Sequence, residues 1–270
     1  YKRQEDGLSN RRIYNIQKDH QGYMWFLTNE GMDRYNGKDI KHYKLIEESK
    51  QLSSEIHLGW LYADKEGGIW VIGKKGRIFQ YEEKYDRFTM VYKSPKVTDA
   101  ISYGYLDRNN NLWLCGKDSI LLYNTKTTQV MRLPNLLEDN ITVVEQADDT
   151  HFFIATEMGV RYTQFENEAL KVIPLDDHVY TQINGLYFHP QLHRLFVGTF
   201  SDGTFAYDMS AHQIIKSDTK LGDVSITHIR PLNQKELLVA TEGMGVHKID
   251  VNTCNTSPFI VANYESYNEM

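Results

Sequence analysis

One unit of about 40 to 45 residues recurs six times along the chain of 270 residues, and this periodicity constrains the fold more than any other feature. The centre of each unit is a four-residue apolar segment: WFLT, WVIG, WLCG, FIAT, FVGT and LVAT. We call the first residue of each segment the anchor, and the six anchors are Trp25, Trp70, Trp113, Phe153, Phe196 and Leu238. The intervals between them are 45, 43, 40, 43 and 42 residues. The chain therefore repeats one structural element.

In the first two units the anchor lies between two turn signals, and later units keep looser versions of them. An Asp-x-x-Gly turn precedes it, as in Asp19 to Gly22, and a second Gly follows it, as in Gly31, before an apolar segment that ends in Tyr35. Asp accepts backbone N–H groups in such turns, and Gly supplies the positive φ that a tight hairpin needs. An alternating apolar segment stands before the first turn and another closes the unit, as at 87–92. Each unit therefore predicts four short strands.

Four-stranded units at this spacing are typical of β-propeller blades. The sequence predicts an all-β fold, a single β-propeller domain over residues 1–270 with four-stranded antiparallel blades. The predicted blades lie near 8–45, 55–93, 100–133, 140–175, 180–216 and 224–264. Helical spacing competes at only two segments: we interpret 45–56 as a long loop or one helical turn, and 136–146 as a loop that runs into a strand.

The termini bear on the number of blades. All six units have a fourth strand of their own, so residues 1–5 are predicted to be a surplus strand that completes a further blade. Propellers close by letting a strand from one terminus finish the blade of the other, which removes exposed edges. We therefore expect a fragment of a seven-bladed ring, and a complete six-bladed ring is the alternative.

Charge and composition exclude some classes of protein. The formal net charge of -6 and the pI near 5.9 argue against a nucleic-acid partner, which would need a basic surface. No apolar run approaches the roughly 18 residues that span a bilayer. The chain starts at Tyr1 without a charged-then-apolar leader, and Cys115 and Cys254 have neither metal-ligand nor disulfide-framework spacing.

The first unit, from Asp6 to Gly37, resembles the two-component regulator propeller repeat. It reads DGLSN-x-x-I-Y-x-I-x-x-D-x-x-G-x-M-W-F-x-T-x-x-G-M-x-R-Y-N-G. The second unit resembles the repeat well from Asp64 to Tyr81, the third has Asn110 in place of the turn Gly, and the later units keep only the skeleton. The resemblance thus covers nearly the whole chain, but its specificity lies in the first hundred residues.

This resemblance implies the periplasmic sensor region of a hybrid two-component system, part of an inner-membrane protein that detects polysaccharide fragments. It implies a non-catalytic module within a parent histidine kinase, with an oligosaccharide as candidate ligand. The expected partners are a neighbouring propeller and a β-sandwich of the same parent chain, and the parent is expected to be a homodimer. The alternative is an enzyme, because D-x-x-G-x-x-W also resembles the repeat of the streptogramin lyase propellers, which use His and acidic residues with a metal ion.

The anchors are predicted to be structural rather than sugar-stacking platforms. They occupy one repeated position in the middle of a strand, and Phe and Leu replace Trp there without any stacking requirement. Large aromatic residues in such a position are typical of the space between blades.

The candidate ligand-binding residues lie instead at loop positions where the residue type differs from one unit to the next. In a propeller, the segments entering the first strands and the loops joining the second and third strands share one face around the axis, where convergent polar groups form a site. The sequence places nine polar or charged residues there: Arg11, Asn29, His57, Lys74, Tyr103, Lys117, Glu157, Asp202 and Glu242.

Catalytic and cofactor motifs are not indicated. His189 and His193 have HxxxH spacing, but a zinc site of that kind needs a helix, and this stretch is predicted to be a solvated hairpin. The glycines have no dinucleotide or phosphate-loop context, and Asp-x-x-Gly lacks the further carboxylates of a calcium loop. We therefore predict no catalytic residues, no metal and no cofactor.

Overall fold

The computed structural model describes residues 7–47, 50–51, 58–95, 100–175, 182–216 and 221–260. The described residues form mainly strands and turns, with a short 3-10 helix at Glu83–Tyr85. The chain divides into two compact units, residues 1–135 and 136–270, which are described separately below.

The first unit contains three antiparallel sheets of four consecutive strands each. The first blade is β1 to β4, the second is β7 to β10 with β5 and β6 added at its edge, and the third is β11 to β14. The strands are β1 Ile13–Lys18, β2 Met24–Thr28, β3 Gly31–Tyr35, β4 Ile40–Tyr43, β5 Leu45–Glu47, β6 Lys50–Gln51, β7 Leu58–Ala63, β8 Ile69–Gly73, β9 Arg77–Glu82, β10 Arg87–Lys93, β11 Tyr103–Leu106, β12 Asn111–Cys115, β13 Ser119–Asn124 and β14 Val130–Pro134.

The second unit contains three more blades of the same topology, each made of four consecutive strands. The strands are β15 Ile141–Gln146, β16 His151–Thr156, β17 Gly159–Glu166, β18 Ala169–Ile173, β19 Ile183–His189, β20 Arg194–Thr199, β21 Thr204–Asp208, β22 Gln213–Lys216, β23 Ile226–Pro231, β24 Glu236–Thr241, β25 Val246–Asp250 and β26 Thr256–Ile260. The predicted β-propeller fold with six four-stranded antiparallel blades is confirmed.

One local prediction was wrong. Residues 45–47 and 50–51 are strands rather than a loop or helical turn, because Leu45 is buried and β5 pairs in parallel with β10 at Phe88. The loop predicted to run into a strand at 136–146 is confirmed, since β15 begins at Ile141. The surplus strand at 1–5 lies outside the described residues, so the number of blades in the closed ring stays a prediction, as does the single domain.

The anchors pack between neighbouring blades. Trp25 belongs to a buried cluster with Leu61, Val71 and Phe79 of the second blade, and Phe196 belongs to a cluster with residues of β23 and β24 in the next blade. Five of the six anchors are at most 2% exposed. Leu238 is the exception, because it is only half-buried, and the described part of the second unit offers no further blade for it to pack against.

The Asp of each intact turn is bonded to the anchor of its own blade. In the first blade, Asp19 Oδ1 accepts the backbone N–H groups of Gln21 and Tyr23, while Oδ2 accepts the Trp25 indole N–H at 2.7 Å. The same indole-to-carboxylate bond recurs from Trp70 to Asp64 at 2.8 Å and from Trp113 to Asp107 at 2.9 Å. The six-residue spacing from Asp to Trp thus reflects one hydrogen-bonded pair that ties the turn to the core. We call it the Asp–Trp pair.

Candidate functional site

Each blade has one end where the first strand begins and where the second and third strands are joined. We call this the loop end of a unit. In the first unit it includes Arg11, before β1, and three loop residues: Asn29 between β2 and β3, Lys74 between β8 and β9, and Lys117 between β12 and β13. Tyr103 is the first residue of β11. These positions agree with the predicted topology.

The described contacts join these residues to neighbours that the sequence did not single out. The Tyr14 hydroxyl donates to Asn29 Oδ1 at 2.7 Å, and the Tyr103 ring lies 5.9 Å from the Trp60 ring. Arg11, Lys74 and Lys117 have exposed side chains. Whether the nine predicted residues form one ligand site stays a prediction, and His57 lies outside the described residues.

The second unit places Glu157, Asp202 and Glu242 on its own second-to-third-strand loops, with all three side chains exposed. A Thr at the end of each second strand holds these loops. Thr199 Oγ1, for example, donates to the Gly203 carbonyl at 2.9 Å and accepts the Asp202 N–H at 2.8 Å. The fourth residue of the repeated segment is therefore a turn-forming hydroxyl in WFLT, FIAT, FVGT and LVAT.

A cavity of about 260 Å³ lies at the opposite end of the first unit, between its first two blades. The Asp19–Tyr23 turn, Arg34 of β3 and the Glu66–Ile69 segment line it, together with Tyr81 and Glu83. The sequence does not predict this cavity, because the residues of both turns match a hairpin pattern alone. The one sequence signal for a site here is Arg34, which pairs with the Trp25 anchor across β2 and β3. At the equivalent third-strand position, the Trp70 and Trp113 anchors pair with the uncharged residues Gln80 and Leu122.

Arg34 is surrounded by aromatic rings. Its guanidinium carbon lies between 4.9 and 5.7 Å from the ring centroids of Tyr23, Trp25, Tyr43 and Tyr81. Its Nη1 donates to the Tyr81 hydroxyl at 2.7 Å, and no described residue accepts a hydrogen bond from Nε or Nη2. Cation–π contacts of this kind stabilise a partly desolvated cation, so Arg34 joins the first two blades and also presents donors to the cavity.

Asp86 completes this junction from the second blade. It accepts hydrogen bonds from Lys41, from the Tyr43 hydroxyl at 2.7 Å and from the Tyr81 hydroxyl at 2.6 Å. Burial opposes its ionisation, but the bonds from Lys41, Tyr81 and Tyr43 outweigh burial and hold the pKa of this carboxyl well below its ordinary value. Burial, and then the bond to Asp86, raise the pKa of Tyr43 above its ordinary value.

A Ser, an Asp and a His lie together in the first blade but in an order that does not activate a nucleophile. Buried Asp33 accepts the Ser9 hydroxyl at 2.9 Å on one oxygen, and its other oxygen lies 2.7 Å from His42 Nδ1. A hydrolytic triad needs the imidazole between the hydroxyl and the carboxylate. Here Asp33 stands in the middle, so the network fixes the segment that leads into β1.

The HxxxH stretch forms the predicted hairpin, but of its two histidines only His193 is exposed as expected. His189 is buried, because it caps the turn: its Nδ1 accepts the Leu192 N–H at 3.3 Å, and its Nε2 lies 3.3 Å from the Gln234 carbonyl. Within the described residues, no three His, Cys, Asp or Glu side chains lie together in a way that could hold a metal ion. Cys115 and Cys254 are free and buried, and burial raises the pKa of both thiols.

The fold and its turns define a β-propeller of four-stranded blades, and the family comparison bears out the resemblance of the first unit. The model of the family described as "Two component regulator propeller" matches residues 7–30. The matched stretch contains Asp19, the Trp25 anchor and Thr28, which the structure shows to be the turn and core positions of the first blade.

Solved structures show the same fold. Two extracellular domains assigned to hybrid two component systems of B. thetaiotaomicron align with TM-scores of 0.75 and 0.70, at 20% and 17% identity, over 96% and 94% of the chain. The alignments cover 36% and 33% of those proteins, so the chain spans about a third of their length. Virginiamycin B lyase from Staphylococcus aureus aligns with a TM-score of 0.66 at 13% identity, over 90% of the chain and 81% of the lyase.

A search of curated protein sequences finds no significant match to the chain. Among the described residues, no helix has the length and apolar character needed to cross a membrane.

Proposed function

We propose that the chain is a non-catalytic sensor module of a hybrid two-component signalling protein. The observation that carries this proposal is the match of residues 7–30 to the two component regulator propeller model. It is supported by the likeness of fold to extracellular domains of hybrid two component systems, of which the chain spans about a third. The module then lies on the periplasmic side of the inner membrane, within a parent histidine kinase.

We propose further that the module senses, or helps to sense, oligosaccharides. The support is chemical: exposed Arg, Asn, Lys and carboxylate side chains on short loops of a rigid scaffold suit the hydroxyl groups of a sugar. The buried anchors offer no ring face to a ligand. A ligand would signal by shifting how two subunits of the parent pair, which requires a different affinity for the two arrangements.

The second candidate is an enzyme of the streptogramin lyase type, favoured by the fold shared with virginiamycin B lyase. At 13% identity that likeness concerns the fold alone, and function depends on the residues of the site rather than on the fold. Incubating the chain with virginiamycin B and following the ring-opened product decides this candidate. Turnover above a heat-inactivated control would favour the enzyme, and its absence at high protein concentration would favour the sensor.

The sensor proposal can be tested directly on the parent protein. The reading frame is expected to continue into a membrane helix and a histidine kinase. A transcriptional reporter for the linked response regulator, in cells offered a panel of oligosaccharides, is expected to respond to at least one of them. A reading frame that stops soon after a further blade would contradict the proposal, as would a reporter that responds equally when this propeller is deleted from a parent protein that still reaches the membrane.

A further inference from the structure

The loop end of the second unit has an unusual distribution of charge. Its segments that lead into first strands and its second-to-third-strand loops carry six charged residues among those described, and all are acidic: Glu138, Asp139, Glu157, Asp202, Asp223 and Glu242. Five of these are exposed, and Asp139 is half-buried. Lys and Arg are absent from the described residues of these segments. The described residues of these segments therefore carry a net negative charge.

Exposed apolar side chains lie beside those carboxylates. Met158, Phe200 and Met244 are 60%, 51% and 47% exposed, and each belongs to a second-to-third-strand loop of a different blade. In every one of the three loops, an acidic residue stands within two positions of the apolar one. Isolated exposed apolar residues are ordinary, but the same feature on three equivalent loops indicates a contact surface.

The three loops lie at one end of neighbouring sheets. The first strands β15 and β19 contact each other, as do β19 and β23. The Thr142 hydroxyl of β15 donates to the Ile183 carbonyl of β19 at 2.6 Å, and a Cβ at Gly185 of β19 would lie 3.3 Å from Ile229 of β23. Because the blades share one topology, their second-to-third-strand loops emerge side by side.

These loops are also pre-organised. Met158 N–H donates to Thr156 Oγ1 at 3.1 Å, and Met244 N–H donates to Thr241 Oγ1 at 3.2 Å. The Thr241 hydroxyl closes its loop by donating to the Gly245 carbonyl at 2.8 Å. A loop that is already ordered loses little conformational entropy when a partner binds, so the apolar side chains are held ready for contact.

We propose that the loop end of the second unit docks a polypeptide surface on which basic and apolar side chains alternate. Carboxylates on this end would attract and orient the basic groups, while Met158, Phe200 and Met244 would bury apolar side chains of the partner. A nucleic acid is disfavoured because its phosphates would be repelled by these carboxylates. A surface that extends over three blades suits a polypeptide.

A second copy of the chain is a less suitable occupant. The corresponding loops of the first unit carry both signs of charge, with Lys74, Lys75 and Lys117 beside Glu30 and Asp118, and they carry no large apolar side chain. They complement the second unit only weakly in charge and not at all in apolar residues. The docking proposal goes beyond the proposed sensor function and does not depend on it.

The test uses the complete chain and three fluorescent peptides: one of alternating Lys and Leu, one of alternating Lys and Ser, and one of alternating Glu and Leu. Fluorescence anisotropy at low and physiological salt gives the dissociation constants. We expect the Lys–Leu peptide to bind at least about tenfold more tightly than either of the others, since each 1.4 kcal/mol of additional contact changes affinity about tenfold.

Two sets of variants locate the binding. Replacing Met158, Phe200 and Met244 together by Ser should reduce the affinity of the chain for the Lys–Leu peptide about tenfold. Converting Glu157, Asp202 and Glu242 to their amides should reduce this affinity and make it depend less on salt concentration. The matched controls are Val172→Ser with Leu232→Ser, two exposed apolar residues elsewhere in the same unit, and Asp149→Asn with Glu168→Gln. These should leave affinity within about twofold.

Three results would overturn the proposal. The first is equal affinity for the Lys–Leu and Lys–Ser peptides, because charge alone would then explain binding. The second is an equal loss in the control variants, or no binding at all by a folded chain. The third is self-association of the chain, measured by sedimentation, that the Met158, Phe200 and Met244 variant abolishes, because the occupant would then be a second copy.

Discussion

The two units share one strand topology but differ at the anchors and at the loop end. In the first unit every anchor is a Trp that donates to the Asp of its own turn. In the second unit the anchors are Phe153, Phe196 and Leu238, which have no donor to offer. Both sets form four-stranded blades. The blade therefore needs a large apolar residue at this position, and the Asp–Trp pair is an additional tie between turn and core.

The largest expected effect concerns the anchors themselves. Trp70→Ala should reduce the free energy of unfolding by about 3 to 5 kcal/mol, because it leaves a large cavity in a packed core. Leu238→Ala should cost only about 1 to 2 kcal/mol, because Leu238 is half-buried. Urea unfolding followed by tryptophan fluorescence and circular dichroism gives both values. Equal losses would show that the two units are packed alike.

The Asp–Trp pair is expected to have the next largest effect. Asp64→Asn keeps the shape of the side chain but can bring an amide N–H against the indole N–H, and the change should cost about 1 to 3 kcal/mol. Asp148 accepts the turn N–H groups of the fourth blade and pairs with His151 Nδ1 at 2.9 Å instead of an indole. Because this pair is partly exposed, Asp148→Asn is the control and should cost under about 1 kcal/mol. Urea unfolding at neutral pH gives the loss of stability for each variant. If Asp148→Asn loses as much as Asp64→Asn, the hydrogen bond to the indole does not contribute to stability.

The Asp86 junction predicts a dependence on pH. The pKa of Asp86 is lowered in the folded chain, so its stabilising contribution is present above the unfolded pKa, near about 4, and is lost as pH falls through the folded value. Since the carboxylate is 37% exposed, we expect Asp86→Asn to cost only about 1 kcal/mol at pH 7. The difference between the wild type and the variant should shrink below about pH 4, as measured by unfolding at several pH values. A difference that grows towards low pH would contradict this assignment.

The smallest effects on stability are expected at the loop ends. Lys74→Ser in the first unit and Glu157→Gln in the second should each change the free energy of unfolding by less than about 0.5 kcal/mol, because both side chains are exposed. Thermal unfolding checks this. A change above about 1 kcal/mol in either variant would mean that the loop residue supports the blade.

Most of the fold could be predicted from the sequence, because the same pattern of turn and core positions recurs in six units. Asp19, Trp25 and Gly31 could be assigned to turn and core by comparing them with their equivalents, and Asn110 fits where Gly is missing because it adopts φ 65°. Strand β5 was not predicted because the described residues of the other blades form no equivalent strand. The half-buried state of Leu238 depends on a neighbouring blade, which its own segment cannot reveal.

The candidate site was less predictable. Topology located Asn29, Lys74 and Glu157 on the loop end, because a loop position follows from the order of strands. The cavity beside Arg34 could not be foreseen, since it depends on how two blades pack and on hydrogen bonds between residues up to 62 positions apart, such as Gln21 to Glu83. The contrast in charge between the two loop ends was present in the sequence but needed the strand bounds to become visible.

The central claim is that the repeated residues build the scaffold while the residues that do not repeat carry the function. Calorimetric titration of the complete sensor region with an oligosaccharide panel tests it, using the wild type, Trp25→Phe and a combined Arg11→Ser, Asn29→Ala and Lys74→Ser variant. We expect the Trp25 variant to bind the ligand as the wild type does, although it is less stable, and the combined loop variant to bind more weakly while keeping its stability. Loss of binding in the Trp25 variant with unchanged binding in the loop variant would contradict the claim, as would a folded sensor region that binds no member of the panel.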